Sequence, residues 1–226
     1  MLNSESVLMG ENSDRLFERR SWFYSFCRER LFADHTEEIS QALEVLLLSR
    51  QKPEVLEVGC GPGHYARRLA MRFPQIDVTG IDLSESLLAR ARSKAARDGI
   101  ANCKFLLADA LTLPNTIAPV DLLIASRLFL IMADPDVALS ATFAALKPGG
   151  LMFIAEPVSR FRAAIPIFCM RVLDFALGNG SMPGPKVRCQ VFGEEQFSNL
   201  LNSQPWKNVR RWNDGRYQYA VCRKAN

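Results

Sequence analysis

Apolar positions along the chain switch between two periods, and the switching outlines alternating helices and strands. Residues 1–13 are polar, and 13–31 carry a helical pattern with Leu16, Phe23 and Phe26 on apolar faces. Over 35–50, Ile39, Ala42, Leu43, Leu46 and Leu47 recur at intervals of three and four, which predicts an amphipathic helix. Asp34 and Glu37 suit its start. Val55 to Val58 is β-prone, and beyond it Ala66, Leu69, Ala70 and Phe73 space out one buried helix face that Pro74 stops. Ile76 to Asp82 reads as a second strand. Ser84 then caps a helix carrying Leu87, Leu88, Ala91 and Ala95, which ends at Asp98-Gly99. Cys103 to Leu107 is a third strand, and Val120 to Ala125 is nearly all apolar, as strands buried on both faces are. Asp134-Pro135-Asp136 joins a capping acid to a proline at the first helical position, predicting a helix to near Lys147 and then a strand at 151–155. Residues 193–203 look helical, and 206–212 and 217–223 are strand-like around an Asp214-Gly215 hairpin turn.

Strands alternating with helices imply an α/β fold with a parallel sheet and right-handed crossovers, closed here by an antiparallel hairpin. One domain accommodates the 226 residues: a helical N-terminal cap at 1–50, a core at 53–156, an insertion at 157–192, and a closing helix and hairpin at 193–226.

The chemistry concentrates where the first strand ends. Gly59, Gly61 and Gly63 stand at alternate positions between that strand and a helix start. Glycine admits positive φ and lets a ligand touch bare backbone, and a helix N-terminus offers unpaired N–H groups. Asp82 lies at the tip of the second strand, where open α/β sheets bind ligands, and is placed to accept two hydrogen bonds from a ribose diol. The dinucleotide fingerprint needs a glycine where this chain has His64, and Glu57 beside the turn would repel a pyrophosphate. A nucleoside carrying an ammonium or sulfonium suits the acid better.

The run Glu57-Val58-Gly59-Cys60-Gly61-Pro62-Gly63 resembles the first motif of class I S-adenosylmethionine-dependent methyltransferases. Asp82, within Gly80-Ile81-Asp82-Leu83-Ser84, resembles their ribose-binding acid, and Asp109, within Leu107-Ala108-Asp109-Ala110, the acid that meets the adenine amino group. Val120 to Ser126 is similar to their fourth strand, and Leu146-Lys147-Pro148-Gly149-Gly150-Leu151 to the turn into the fifth. The motifs run in family order from about 53 to 156, and the flanks match weakly. The resemblance implies a Rossmann-like, doubly wound, mostly parallel seven-stranded sheet. It implies S-adenosylmethionine as cofactor, with Glu57, Gly59, Cys60, Gly61, Gly63, Asp82, Leu83, Asp109, Ala110 and Ser126 in its site. Glu57 would support the amino-acid end of the cofactor, and Tyr24 or Trp22 would either close over it or pack in the core.

The acceptor side is less defined. Many family members have a histidine pair after strand four, where this chain has Leu130 and Ile131. Either the acceptor needs no base or another group supplies one, with His64, Arg127 and Glu156 as candidates. Each has a structural alternative: His64 a helix cap, Arg127 an ion pair, Glu156 the grip on a backbone amide. The insertion at 157–192 is apolar around Phe161, Ile165, Ile167 and Phe168. It reads as a helical lid on a hydrophobic substrate pocket, a helix packed on the core, or a membrane contact. The expected activity is methyl transfer to a small, partly hydrophobic metabolite. A non-catalytic binder of the cofactor and a nicotinamide-dependent oxidoreductase on a similar fold are the alternatives.

Composition adds boundaries. The net charge of +4 is mild and acids are interspersed with the arginine pairs, so nucleic acid is not an expected partner. The six cysteines contain no C-x-x-C and there are only two histidines, His35 and His64, so no metal site is expected. With no signal-like or membrane-spanning apolar run, the expected setting is the cytoplasm, with reduced thiols.

Overall fold

The computed structural model describes residues 21–30, 32–113, 117–159, 172 and 190–226, with backbone alone at 28–30. The helical pattern expected ahead of Ser21 and most of the insertion at 157–192 lie outside the described residues.

Helix α1 spans Ser21–Arg30 and α2 Thr36–Leu47. Then β1 (Glu54–Val58), α3 (His64–Arg72), β2 (Asp77–Asp82), α4 (Glu85–Arg97), β3 (Cys103–Leu107), β4 (Val120–Ser126), α5 (Pro135–Ala144) and β5 (Leu146–Pro157) alternate. Helix α6 (Glu194–Asn202) leads to β6 (Trp206–Asn213) and β7 (Tyr217–Lys224). The strands form one seven-stranded sheet in the order β3-β2-β1-β4-β5-β7-β6. All pairings from β3 to β5 are parallel, and β7 runs antiparallel to both β5 and β6. The expected α/β fold with its closing hairpin is therefore present.

Both faces of the central strands are covered. Leu122, Ile124, Phe153 and Ala155 face one core with α2, α3 and α4, while Leu123, Ala125, Met152 and Ile154 face the other with α5 and α6. Each large side chain removed from water contributes about 1.5–3 kcal/mol, so the two layers hold the sheet from either side. Helix α1 lies along α4, where Arg90 Nε donates to Ser21 Oγ at 3.1 Å and Lys94 Nζ to Ser25 Oγ at 2.8 Å.

Two boundaries differ from expectation. Helix α5 ends at Ala144 rather than near Lys147, and β5 begins at Leu146 rather than 151. Pro148 lacks an N–H and Gly149 turns at φ 71°, so the segment extends alongside Val120 and resumes regular pairing after a register shift. Helix α2 begins after His35 with no side-chain cap; Asp34 Oδ1 instead accepts from Thr36 N at 3.0 Å.

Candidate active site

Strand order reverses between β1 and β4, and the expected site residues gather at the carboxyl ends beside that point. On the β1 side the glycine turn is tied down by two acids. Glu57 is buried, and its Oε2 accepts from Ala66 N at 2.7 Å. Ala66 is the third residue of α3, so the carboxylate serves one of the N–H groups that a helix start leaves without partners. Asp82 reaches across from β2: Oδ2 accepts from Gly61 N at 2.8 Å and Oδ1 from Ser84 N at 2.9 Å. Ser84 Oγ in turn caps α4 by accepting from Leu87 N at 3.3 Å.

The turn has no room for side chains. A Cβ on Gly63, at φ 70°, would sit 2.6 Å from the ring of Phe105. One on Gly61 would meet Tyr24 Cε1 at 3.2 Å, so Tyr24 lies against the turn, whereas Trp22 is exposed. Cys60 is buried; burial first, then Glu57 and Asp82, push its thiol well above the usual range, so it is an inert thiol here.

Asp109 at the end of β3 accepts from Leu111 N at 2.9 Å and starts a short 3₁₀ turn, Ala110–Thr112. Leu83, Leu107 and Leu111 remain exposed beside the two strand-end acids while Ala110 is buried. Acceptor oxygens edged by exposed apolar surface suit a ribose and a flat base.

On the other side of the switch point lie Ser126, Arg127 and Glu156. Ser126 ends β4, and its Oγ is buried with no hydrogen-bond partner among the described residues. Arg127 follows at φ 58°, alone in left-handed space among the described non-glycine residues, a conformation that costs about 1–3 kcal/mol. It is held there by Arg127 N donating to Ala155 O at 2.8 Å, by Nη1 donating to Tyr217 Oη at 3.2 Å, and by the guanidinium lying 4.2 Å from the Phe32 ring centroid. Glu156, near the end of β5, is wholly buried; its Oε1 accepts from Phe129 N at 2.8 Å, and its Oε2 has no partner among the described residues. Burial raises its pKa to about 8, against the opposing pull of the Phe129 N–H and the Arg127 charge.

His64 points elsewhere. It is buried at the start of α3, edge-on to Tyr65, with Nε2 3.5 Å from Asp34 Oδ1, which faces it from the segment ahead of α2. Asp34 is also paired with Arg68.

Sequence reasoning missed a cluster at the same end of the sheet, in which buried His35, Tyr217 and Tyr219 meet an exposed Asp214. Tyr219 donates to Asp214 Oδ2 at 2.8 Å, and His35 Nδ1 lies 3.4 Å from the same hydroxyl. A phenol has one proton; with that proton on the carboxylate, His35 Nδ1 must be the donor of the second bond. His35 also meets Tyr217 edge-on at 4.5 Å, and Trp212 stacks on Tyr219 at 5.0 Å. The available signal was Tyr217 and Tyr219 two apart on one strand face after a turn aspartate.

Among the described residues no group of His, Cys, Asp or Glu can hold a metal, and no helix is long and apolar enough to cross a membrane.

Residues 55–150 match the family model for a methyltransferase domain. The trans-aconitate 2-methyltransferase of Variovorax paradoxus is 35% identical over 134 residues, covering 58% of this chain and 49% of that protein. The demethylmenaquinone methyltransferase of Thermus thermophilus is 33% identical over 137 residues, covering 59% of this chain and 62% of that protein. The chain thus spans about half to three-fifths of the length of these relatives. Among solved structures, a complex of DhpI with SAM and HEP superposes with a TM-score of 0.63 at 19% identity, covering 94% of this chain and 96% of that one. Over residues 55–150 this chain is therefore similar to a methyltransferase domain, with the glycine turn near the start of the matched stretch.

Proposed function

We propose that the protein binds S-adenosylmethionine at the β1–β4 switch point and transfers its methyl group to a small, partly apolar metabolite. The observation that carries this reading is the pair of acids around the glycine turn: Asp82 on Gly61 N and Glu57 on Ala66 N. They surround the turn with negative charge and leave a pyrophosphate no favourable seat, which weighs against the nicotinamide alternative. The residues suit the cofactor's shape as well. Gly61 and Gly63 leave backbone in place of side chains, and Ser126 Oγ is a buried polar atom in want of a partner.

In this reading Gly59, Cys60, Gly61 and Gly63 form the floor, and Glu57 acts on the cofactor's amino-acid end through the turn that it orders. Asp82 holds the ribose beside Leu83, Asp109 and Ala110 meet the adenine, and Ser126 completes the crevice. When bound, the cofactor supplies an already activated methyl on a sulfonium, so the chain's own task is to align an acceptor and exclude water. Arg127, Glu156 and the aromatic cluster around His35 border the acceptor side. The domain works as one unit, in the cytoplasm, on a small molecule rather than a nucleic acid.

Calorimetric titration of the purified chain tests this. S-adenosylmethionine or its demethylated product is expected to bind at least about tenfold more tightly than NAD. Preference for NAD, or no binding of either adenosyl compound, would refute the assignment.

A further inference from the structure

We propose that the open edge of β6 is a docking strand for an acidic, extended segment of a partner protein, which adds to the sheet beyond β6. This docking is independent of the methyltransferase reading above. Charge points to it first. Residues 206–226 hold six basic residues and one acid, so this hairpin carries more positive charge than the net +4 of the whole chain. Elsewhere Arg50, Arg67, Arg68, Arg72, Arg92 and Arg97 each meet a carboxylate. On the hairpin, Lys224 Nζ is occupied by the carbonyls of Phe143 and Leu146, at 2.9 and 2.7 Å. Lys207, Arg210, Arg211 and Arg216 are exposed, and none of the four has an ion-pair partner among the described residues. Unbalanced charge on one stripe of the surface attracts and orients an oppositely charged partner.

The backbone sets the form of the partner. Strand β6 ends the sheet and pairs with β7 alone, so one row of N–H and C=O groups along its eight residues has no strand partner. An extended peptide fills such a row with main-chain bonds, while its alternating side chains supply selectivity. Arg210 and Arg211 are adjacent and stand on opposite faces, so an acid on either face of an added strand meets a cation. The same charges bar a second copy of this chain, because two β6 edges side by side would bring like charges together. Tyr217 at the start of β7 pairs with Pro157 at the end of β5, so the stripe runs up to the end of the sheet where the glycine turn lies.

Other anionic partners fit this edge less well. Both indoles of β6 are engaged within the protein: Trp206 lies edge-on to Phe143 at 4.8 Å and donates from Nε1 to Leu201 O at 3.0 Å, and Trp212 stacks on Tyr219 at 5.0 Å. Single-stranded nucleic acid would need such rings for its bases. The major groove of a duplex admits a two-stranded ribbon, but β7 is paired on both sides and is held within the sheet. Among the described residues, the exposed large apolar side chains all lie outside 194–226, so the hairpin offers nothing to insert into a lipid layer.

The test is a titration of the full chain with labelled probes, read by fluorescence anisotropy. The main probe is a blocked peptide of alternating Thr and Glu, as long as the eight residues of β6. Its controls are the Thr-Gln counterpart, the Thr-Glu peptide methylated at every peptide nitrogen, an oligouridylate and phosphatidylglycerol vesicles. At about 20 mM salt the Thr-Glu peptide is expected to bind at least about tenfold more tightly than any control, and to weaken about tenfold by 200 mM. The variant carrying Arg210→Glu and Arg211→Glu should lose at least about tenfold of that affinity with its melting temperature unchanged. Should it fail to fold, Lys207→Glu, at an exposed side chain, carries the test with an expected loss of about threefold. The proposal is overturned if the neutral or methylated peptide binds as well as the acidic one, if charge reversal leaves the affinity unchanged, or if the oligouridylate or the vesicles bind more tightly. Adenosyl compounds are absent from the titration, so its failure and that of the methyltransferase reading are separate results.

Discussion

Asp82 and Gly61, 21 residues apart, are joined directly: Asp82 Oδ2 accepts the Gly61 N–H at 2.8 Å while Oδ1 takes Ser84 N at 2.9 Å. The acid at the tip of β2 therefore shapes the turn after β1, and it is the group proposed above to hold a ribose. Asp82→Ala is expected to lower affinity for S-adenosylmethionine at least about 100-fold, because both the ribose contact and the turn geometry are lost. The stability loss should be confined to about 1–3 kcal/mol, the cost of two backbone N–H groups left to water. Calorimetry and thermal melting on the same preparation separate the effects; unchanged affinity would remove Asp82 from the site.

Two glycines at similar φ make a controlled comparison. Gly63 and Gly99 sit at +70° and +69°, but a Cβ on Gly63 would lie 2.6 Å from Phe105 whereas one on Gly99 meets nothing within 4 Å. Gly99→Ala should cost about 1–2 kcal/mol, from backbone strain alone. Gly63→Ala adds a clash with a buried ring and should cost about 3 kcal/mol or more, with cofactor binding lost in parallel. Denaturant midpoints of the two variants check the order; equal losses would mean that Phe105 yields.

Glu156 gives stability a pH dependence of definite sign. Its folded pKa of about 8 lies above the ordinary carboxylate range, so between about pH 5 and 8 the native state keeps a proton that the unfolded chain has released. Stability from this group is full at the acidic end of that window and falls as pH rises through it, by on the order of a few kcal/mol. Glu156→Gln keeps an oxygen for Phe129 N and cannot ionise, so its stability should be flatter over the same window. Urea unfolding of wild type and variant at a series of pH values decides this; parallel curves would show that Glu156 ionises normally.

Much of this molecule could be read before folding. The run Val120–Ala125 was recognisable as a doubly buried strand because all of its residues but Asp121 are apolar, and it is buried throughout, Asp121 being paired with Arg50 and Lys147. Ser84 and Asp134 announced their helices through local capping chemistry, which needs only the residues two or three positions on. The helix end at Ala144 was not legible, since residues 145–150 take their course from pairing with Val120, a contact made at long range.

The same division runs through the site. Glycine spacing and a strand-end acid are local signals, so the glycine turn and the acid that the structure joins to it were legible in the chain alone. The left-handed turn at Arg127, the neutral burial of Glu156 and the bond from Tyr219 to Asp214 beside His35 have no local signature. They arise because β4, β5, β7 and the segment ahead of α2 converge at one end of the sheet. Short-range stereochemistry and hydrophobic period are written in consecutive residues, and they determined the elements and the class of fold. Charge state, strain and the company that a buried side chain keeps depend on desolvation by distant segments, and those only the tertiary structure decided.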